Sequence, residues 1–175
     1  MSVKEDLKRL CQRSLEFGAS EAKPIKAEDI IVSDWVRLKC QYGCGDYGER
    51  LTCPPYSPTP GEFKETLQDY EWAVLMRFEP RQPEDEWEST HEVAVKLERE
   101  AFLNGYHSAF ALGSGPCPYC EECNLKECAH PRLARPSMEA CGVDVYATVR
   151  KAGFDLQVVT DRSKKPTYFS LLLVE

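Results

Sequence analysis

Eight of the nine cysteines fall into two tight groups. Cys40, Cys44 and Cys53 lie within fourteen residues of one another, and Cys117, Cys120, Cys123, Cys128 and Cys141 within twenty-five. More than sixty residues without a cysteine separate the groups, and Cys11 stands apart from both. Thiolates are the soft ligands of protein metal sites, and ligand sulfurs must converge on one small object. Grouping of this kind is what a thiolate-ligated metal centre requires. A disulfide framework is not expected, because the chain reads as cytoplasmic and the odd count leaves a thiol over.

The second group runs Cys117-x2-Cys120-x2-Cys123, with Cys128 after four more residues. Zinc sites more often take two separated C-x2-C pairs. Three thiols in seven residues with a fourth close behind are nearer to the ferredoxin run C-x2-C-x2-C-x3-C-P. The departure is the fourth intervening residue, and Ala129-His130 before Pro131. The spacing points to a [4Fe–4S] cluster, with zinc as the alternative. The first group, Cys40-x3-Cys44-x8-Cys53, supplies three thiols and needs a fourth ligand or leaves an iron open. Cys141 is the natural candidate for that ligand. Cys128 is the other, if the groups exchange one as two-cluster ferredoxins do. Gly43, Gly45 and Gly48 would let backbone amides approach a cluster. His130 could replace a sulfur ligand but reads better as a neighbour of the site, and His91 and His107 have no partner at ligand spacing. Tyr42, Tyr47, Tyr56 and Tyr119 could screen a cluster from water or simply pack, and Glu121-Glu122 reads as a solvated edge.

The elements that must position these loops are legible in part. Val3 to Phe17 has the apolar spacing of an amphipathic helix, with Cys11 on its stripe as a small buried thiol and Gly18 as its stop. The segment from Ile30 to Val36 fits a strand or a short helix equally. Thr59-Pro60-Gly61-Glu62 is a helix start with a capping box and Pro at the first position, followed by Phe63, Leu67 and Tyr70 on one face. Ala73 to Phe78 reads as a strand, and a polar loop through Arg81-Gln82-Pro83 leads on to a helix from about Ser89 to Asn104. His107 to Leu112 reads as the next strand. Ser137 can cap a turn that Gly142 ends, and Asp144 a helix carrying Val145, Val149 and Ala152, with Arg150 and Lys151 in its last turn. Leu156 to Thr160 and Thr167 to Val174 read as a closing hairpin around a charged turn. The expected fold is α/β (α+β): one domain over residues 1–175, a small mixed sheet, flanking helices and two Cys-rich metal-binding loops.

The 175 residues are 42% hydrophobic and 29% charged, with a formal net charge of −7, which fits a folded protein. An acidic balance argues against nucleic acid as a partner. The apolar stretch from Tyr168 to Val174 is too short to span a membrane, and nothing behind Met1 to Asp6 resembles a secretory signal. No P-loop, dinucleotide fingerprint or nucleophile elbow is present, nor is the radical S-adenosylmethionine C-x3-C-x2-C run.

The blocks Lys39 to Gly48 (KCQYGCGDYG), Cys53 to Pro60 (CPPYSPTP), Gly115 to Cys123, and His130 to Ala140 ending in RPSMEA resemble the predicted metal-binding proteins of domain-of-unknown-function family 2284. Members occur widely in anaerobic bacteria and archaea, and the likeness runs from about Cys40 to the C-terminal strands. The resemblance implies Cys-ligated metal of the iron–sulfur kind, with Cys40, Cys44, Cys53, Cys117, Cys120, Cys123 and Cys128 as ligands, and no particular reaction. Three functions are compatible with these readings. The first is a cytoplasmic protein with one or two [4Fe–4S] clusters that passes electrons to a redox partner protein. The second is an enzyme acting at an open iron held by three cysteines, and the third is a zinc-stapled interaction module.

Overall fold

A computed structural model describes residues 2–79, 86–161 and 166–175. The polar loop through Arg81, Gln82 and Pro83, and Arg162 to Lys165 of the charged turn, lie outside the described residues. The elements in chain order are α1 (Val3–Phe17), β1 (Glu21–Lys26), α2 (Asp34–Gly43), α3 (Pro60–Thr66), β2 (Trp72–Phe78), α4 (Glu86–Leu103), β3 (Phe110–Leu112), α5 (Val145–Lys151) and β4 (Tyr168–Val174). The strands form one sheet in the order β1-β2-β4-β3, with every pairing antiparallel.

Strand alternation sorts the core into two halves. Side chains on successive strand residues point to opposite faces. Val74, Met76 and Phe78 of β2 and Leu172 and Val174 of β4 therefore pack with Leu7 and Leu10 of α1 and Leu97 and Ala101 of α4. Ala73, Leu75, Leu171 and Leu173 pack on the other face with Phe63 of α3, Val149 of α5, and Met138, Cys141 and Val143 of the segment before α5. Both faces are covered: the segment around Cys141 belongs to the second, while the second cysteine loop is tied to α4.

The expected helix starts and stops are present. Thr59 accepts from the Glu62 amide while the Glu62 carboxylate accepts from the Thr59 amide, at 3.3 and 2.8 Å. Asp144 accepts from the Ala147 amide at the start of α5. Gly18 ends α1 at φ 127. Three expectations are corrected. Residues 156–160 form no strand: Leu156 packs into the core while Val158 and Val159 are exposed, and both edges of β4 are taken by β2 and β3. The strand expected from His107 begins only at Phe110. An unexpected strand, β1, lies at the sheet edge opposite β2, with Pro24 across from Val74. Pro is tolerated there because an edge strand has one side without ladder partners. The segment left open between strand and helix divides: Val32 bridges Val143, and α2 begins at Asp34.

Candidate metal centres

α2 carries Cys40 in its last turn and ends on Cys44, after which a run of tight turns brings the chain to Cys53. Three sets of contacts hold this unit against the segment from Ser137 to Val145. The Ser33 amide donates to the Gly142 carbonyl, at 2.9 Å, and the Asp144 amide to the Ile31 carbonyl, at 2.7 Å. Arg37 Nη2 donates to the carbonyls of Pro58 and Ala140, at 2.6 and 3.2 Å. Ser57 Oγ donates to the same Ala140 carbonyl, at 2.6 Å. Gly142 makes the approach possible. Its φ of 81 lies in the left-handed region, and a Cβ there would sit 2.6 Å from Pro60 Cγ.

Cys40, Cys44 and Cys53 line one cavity of about 380 Å³, with Glu139, Tyr47 and Trp35 among its walls. Burial pushes the Cys53 thiol up to about 11, and raises Cys40 as well. The Cys40 thiol faces the Glu139 carbonyl at 3.9 Å. The Glu139 carboxyl is itself buried, which raises its pKa, and its Oε2 has no hydrogen-bond partner.

The second loop leaves the fold after β3 and returns beside it. The Gly113 amide donates to Pro136 O at 2.8 Å, the Met138 amide to Gly113 O at 3.2 Å, and Gly113 and Ser137 form a parallel bridge. Arg135 at the returning end makes a two-pronged pair with Glu98 of α4, at 2.5 and 2.7 Å, and the same carboxylate accepts from the Ala111 amide. Gly113 lies hard against His91: a Cβ would come within 2.5 Å of the imidazole Nε2. Between these pinned ends Cys117, Cys120, Cys123 and Cys128 surround a small cavity of about 20 Å³, together with Tyr119 and His130. Burial raises the Cys117 thiol, opposed by the Tyr119 amide and by the charge of Arg50.

Arg50 joins the two loops. Its Nε donates to Asp46 Oδ1 at 2.7 Å, and its Nη1 donates to the carbonyls of Cys117 and Cys120, at 3.1 and 2.9 Å. Cys53 and Cys117 both lie within its electrostatic reach.

All nine cysteines are free thiols. The structure thus gathers three of the predicted ligands around one cavity and four around another. Cys141 lines neither. It is 1% exposed, packs in the core, and burial lifts its thiol to about 12. It shares only a third cavity with Cys128. Cys11 is partly buried between α1 and α4, as a small apolar thiol would be. Among the described residues no three His, Cys, Asp or Glu side chains converge closely enough to hold a single ion as they stand. Glu121 and Glu122 are exposed, and so is Tyr42, at 78%, whereas Tyr47 and Tyr119 line the two cavities. His107 is exposed and lies 3.3 Å from the Glu175 carboxylate. Sequence reasoning missed Glu139 and Arg50 and treated His91 as unrelated to the loops. Glu139 stood in the RPSMEA block, but only folding sets it beside Cys40.

Two cysteine-lined cavities beside a small antiparallel sheet covered by helices define an α/β protein with two thiol-rich loops. The family model described as predicted metal-binding protein (DUF2284) matches residues 23–174, and the chain belongs to that family. Comparison with curated proteins and with solved structures gave no match. No helix among the described residues is long and apolar enough to cross a membrane.

Proposed function

We propose that the protein is a cytoplasmic iron–sulfur protein that carries one or two [4Fe–4S] clusters and passes single electrons to a partner protein. The observation that carries this reading is the separation of seven thiols into two lined cavities, three and four, joined by Arg50. Cys40, Cys44 and Cys53 would hold the first cluster, and Cys117, Cys120, Cys123 and Cys128 the second. Such a cluster supplies one-electron chemistry at a potential set by local charge, hydrogen bonds to sulfur and solvent exposure. The chain's own residues would tune that potential. Arg50 places a positive charge beside Cys53 and Cys117, and the Tyr119 amide reaches the Cys117 sulfur. Trp35 and Tyr47 line the first cavity. The net charge of −7 suits docking to a basic partner surface.

A second reading follows from the ligand count of the second group. The four thiols of the second group line one small cavity, and four sulfurs are also a complete ligand set for a single tetrahedral ion. That group would then hold a structural zinc. An open-iron enzyme remains the third reading, motivated by the three-thiol set. Iron, zinc and acid-labile sulfide analysis of protein purified without oxygen separates the cluster readings from the zinc reading. Brown protein with about eight irons and eight sulfides per chain is expected for two clusters, and four of each with one zinc for the mixed case. Colourless protein with zinc and no sulfide refutes the redox role.

A further inference from the structure

We propose that the cavity beside Cys40, Cys44 and Cys53 is a binding site for a flat aromatic acid, its ring against Trp35 and Tyr146 and its carboxylate on Lys39. The proposal concerns an organic ligand alone, and it stands whether or not the three thiols carry a metal. The cavity has a volume of about 380 Å³. Small-molecule sites occupy roughly 300–1,000 Å³ and are walled by apolar and aromatic side chains with a few polar groups among them. Here Trp35, Tyr47 and Tyr146 supply aromatic surface, and Pro54, Pro116, Val143 and Val145 the aliphatic part.

Trp35 and Tyr146 are 47% and 37% exposed, although each sits in the first turn of a helix whose start is fixed. Val32 bridges Val143 just ahead of both helices, and the Asp144 amide donates to the Ile31 carbonyl at 2.7 Å. Two large rings held at one cavity by a tied backbone leave apolar surface that a ligand would remove from water. The charges around the cavity narrow the choice of ligand. Asp46 is paired with Arg50, Asp144 caps α5 through the Ala147 amide, and Glu139 Oε2 is buried. Each carboxylate is thus engaged or withdrawn. Lys39 also lines the cavity, is exposed, and has no ion pair among the described residues. Its ammonium is a point charge on a flexible stem, suited to an anionic oxygen. An aromatic acid matches both the rings and the lysine. The competing role is a hollow between packed segments that holds only water.

Isothermal titration calorimetry without oxygen, on the protein as purified, distinguishes these with 2-naphthoate and its neutral isostere 2-naphthamide. Saturable binding of 2-naphthoate at one per chain is expected, tighter than that of 2-naphthamide. Trp35→Ala should weaken both probes by about tenfold, from the lost ring contact and the area it covers. Lys39→Gln should weaken 2-naphthoate by roughly threefold, as befits an exposed ion pair, and leave 2-naphthamide unchanged. If Trp35→Ala does not fold, Tyr146→Ala serves and is expected to weaken both probes likewise. Failure of the wild type to bind 2-naphthoate saturably up to about 5 mM overturns the proposal. So does wild-type affinity for 2-naphthoate in either the ring variant or Lys39→Gln. Iron and sulfide content of the same preparation decides the redox reading separately.

Discussion

Arg50 offers the sharpest test of how the two loops are held together. Arg50→Met keeps the aliphatic stem and removes two charged hydrogen bonds to the carbonyls of Cys117 and Cys120, together with the pair to Asp46. The Arg50 side chain is 19% exposed, so water replaces these bonds only in part. Hydrogen bonds to a charged group contribute roughly 1.5–3 kcal/mol each and a partly exposed ion pair about 0.5, and partial rehydration of the freed groups brings the low end of that sum, about 3.5 kcal/mol, to an expected loss near 3 kcal/mol. At a urea dependence of about 2 kcal/mol per molar, the unfolding midpoint of the metal-free protein should fall by roughly 1.5 M. Tryptophan fluorescence during urea titration measures it. The loss of charge also removes one influence that lowers the Cys117 pKa, so the second centre should surrender its metal to a chelator faster than the first. Arg50→Lys, which restores the charge without the fork, should lie between the two. An Arg50→Met protein with an unchanged midpoint and unchanged metal release would refute the bridging role.

The remaining predictions concern the surroundings. Gly142→Ala forces a Cβ to 2.6 Å from Pro60 Cγ at φ 81, and should cost about 2–4 kcal/mol, visible as a melting point lower by roughly 5–10 °C. Cys11→Ala should leave metal and sulfide content unchanged while lowering stability by about 1 kcal/mol, checked by elemental analysis and urea titration. Alkali should destabilise the metal-free protein. Burial lifts Cys53 to about 11 and Cys141 to about 12 from the ordinary 9, so the unfolded chain loses these protons first. The stability they contribute is fully present below pH 9 and is lost as pH rises through 11 to 12. Urea midpoints measured between pH 8 and 11 should show the fall.

Local features were readable because local physics decides them. The capping box at Thr59, the cap at Asp144 and the stop at Gly18 each involve residues a turn apart, and each formed as expected. The thiol groups were readable for the same reason. Strand pairing was not. The run from Leu156 to Thr160 carries two valines and a threonine, but β4 finds its partners in β2 and β3, leaving this run without an edge to join. β1 was hidden by Pro24 and two lysines, which are tolerated only because the strand lies at the edge. Arg50 and Glu139 escaped notice because their importance is non-local. Arg50 reaches carbonyls about seventy residues away, and Glu139 meets Cys40 across about a hundred.

The strand order bears on how the protein is made. β4 is the last strand in chain order, yet it lies between β2 and β3 and joins them. Until residues 168–174 emerge from the ribosome, β3 has no sheet to attach to, and the loop that begins at Gly113 is held only by its own closing bonds and by α4. About sixty residues follow β3 before β4 is complete, and synthesis at roughly 5–20 residues per second leaves a window of several seconds. During that window all the thiols of the second group are synthesised but unplaced, open to air oxidation or to the wrong metal.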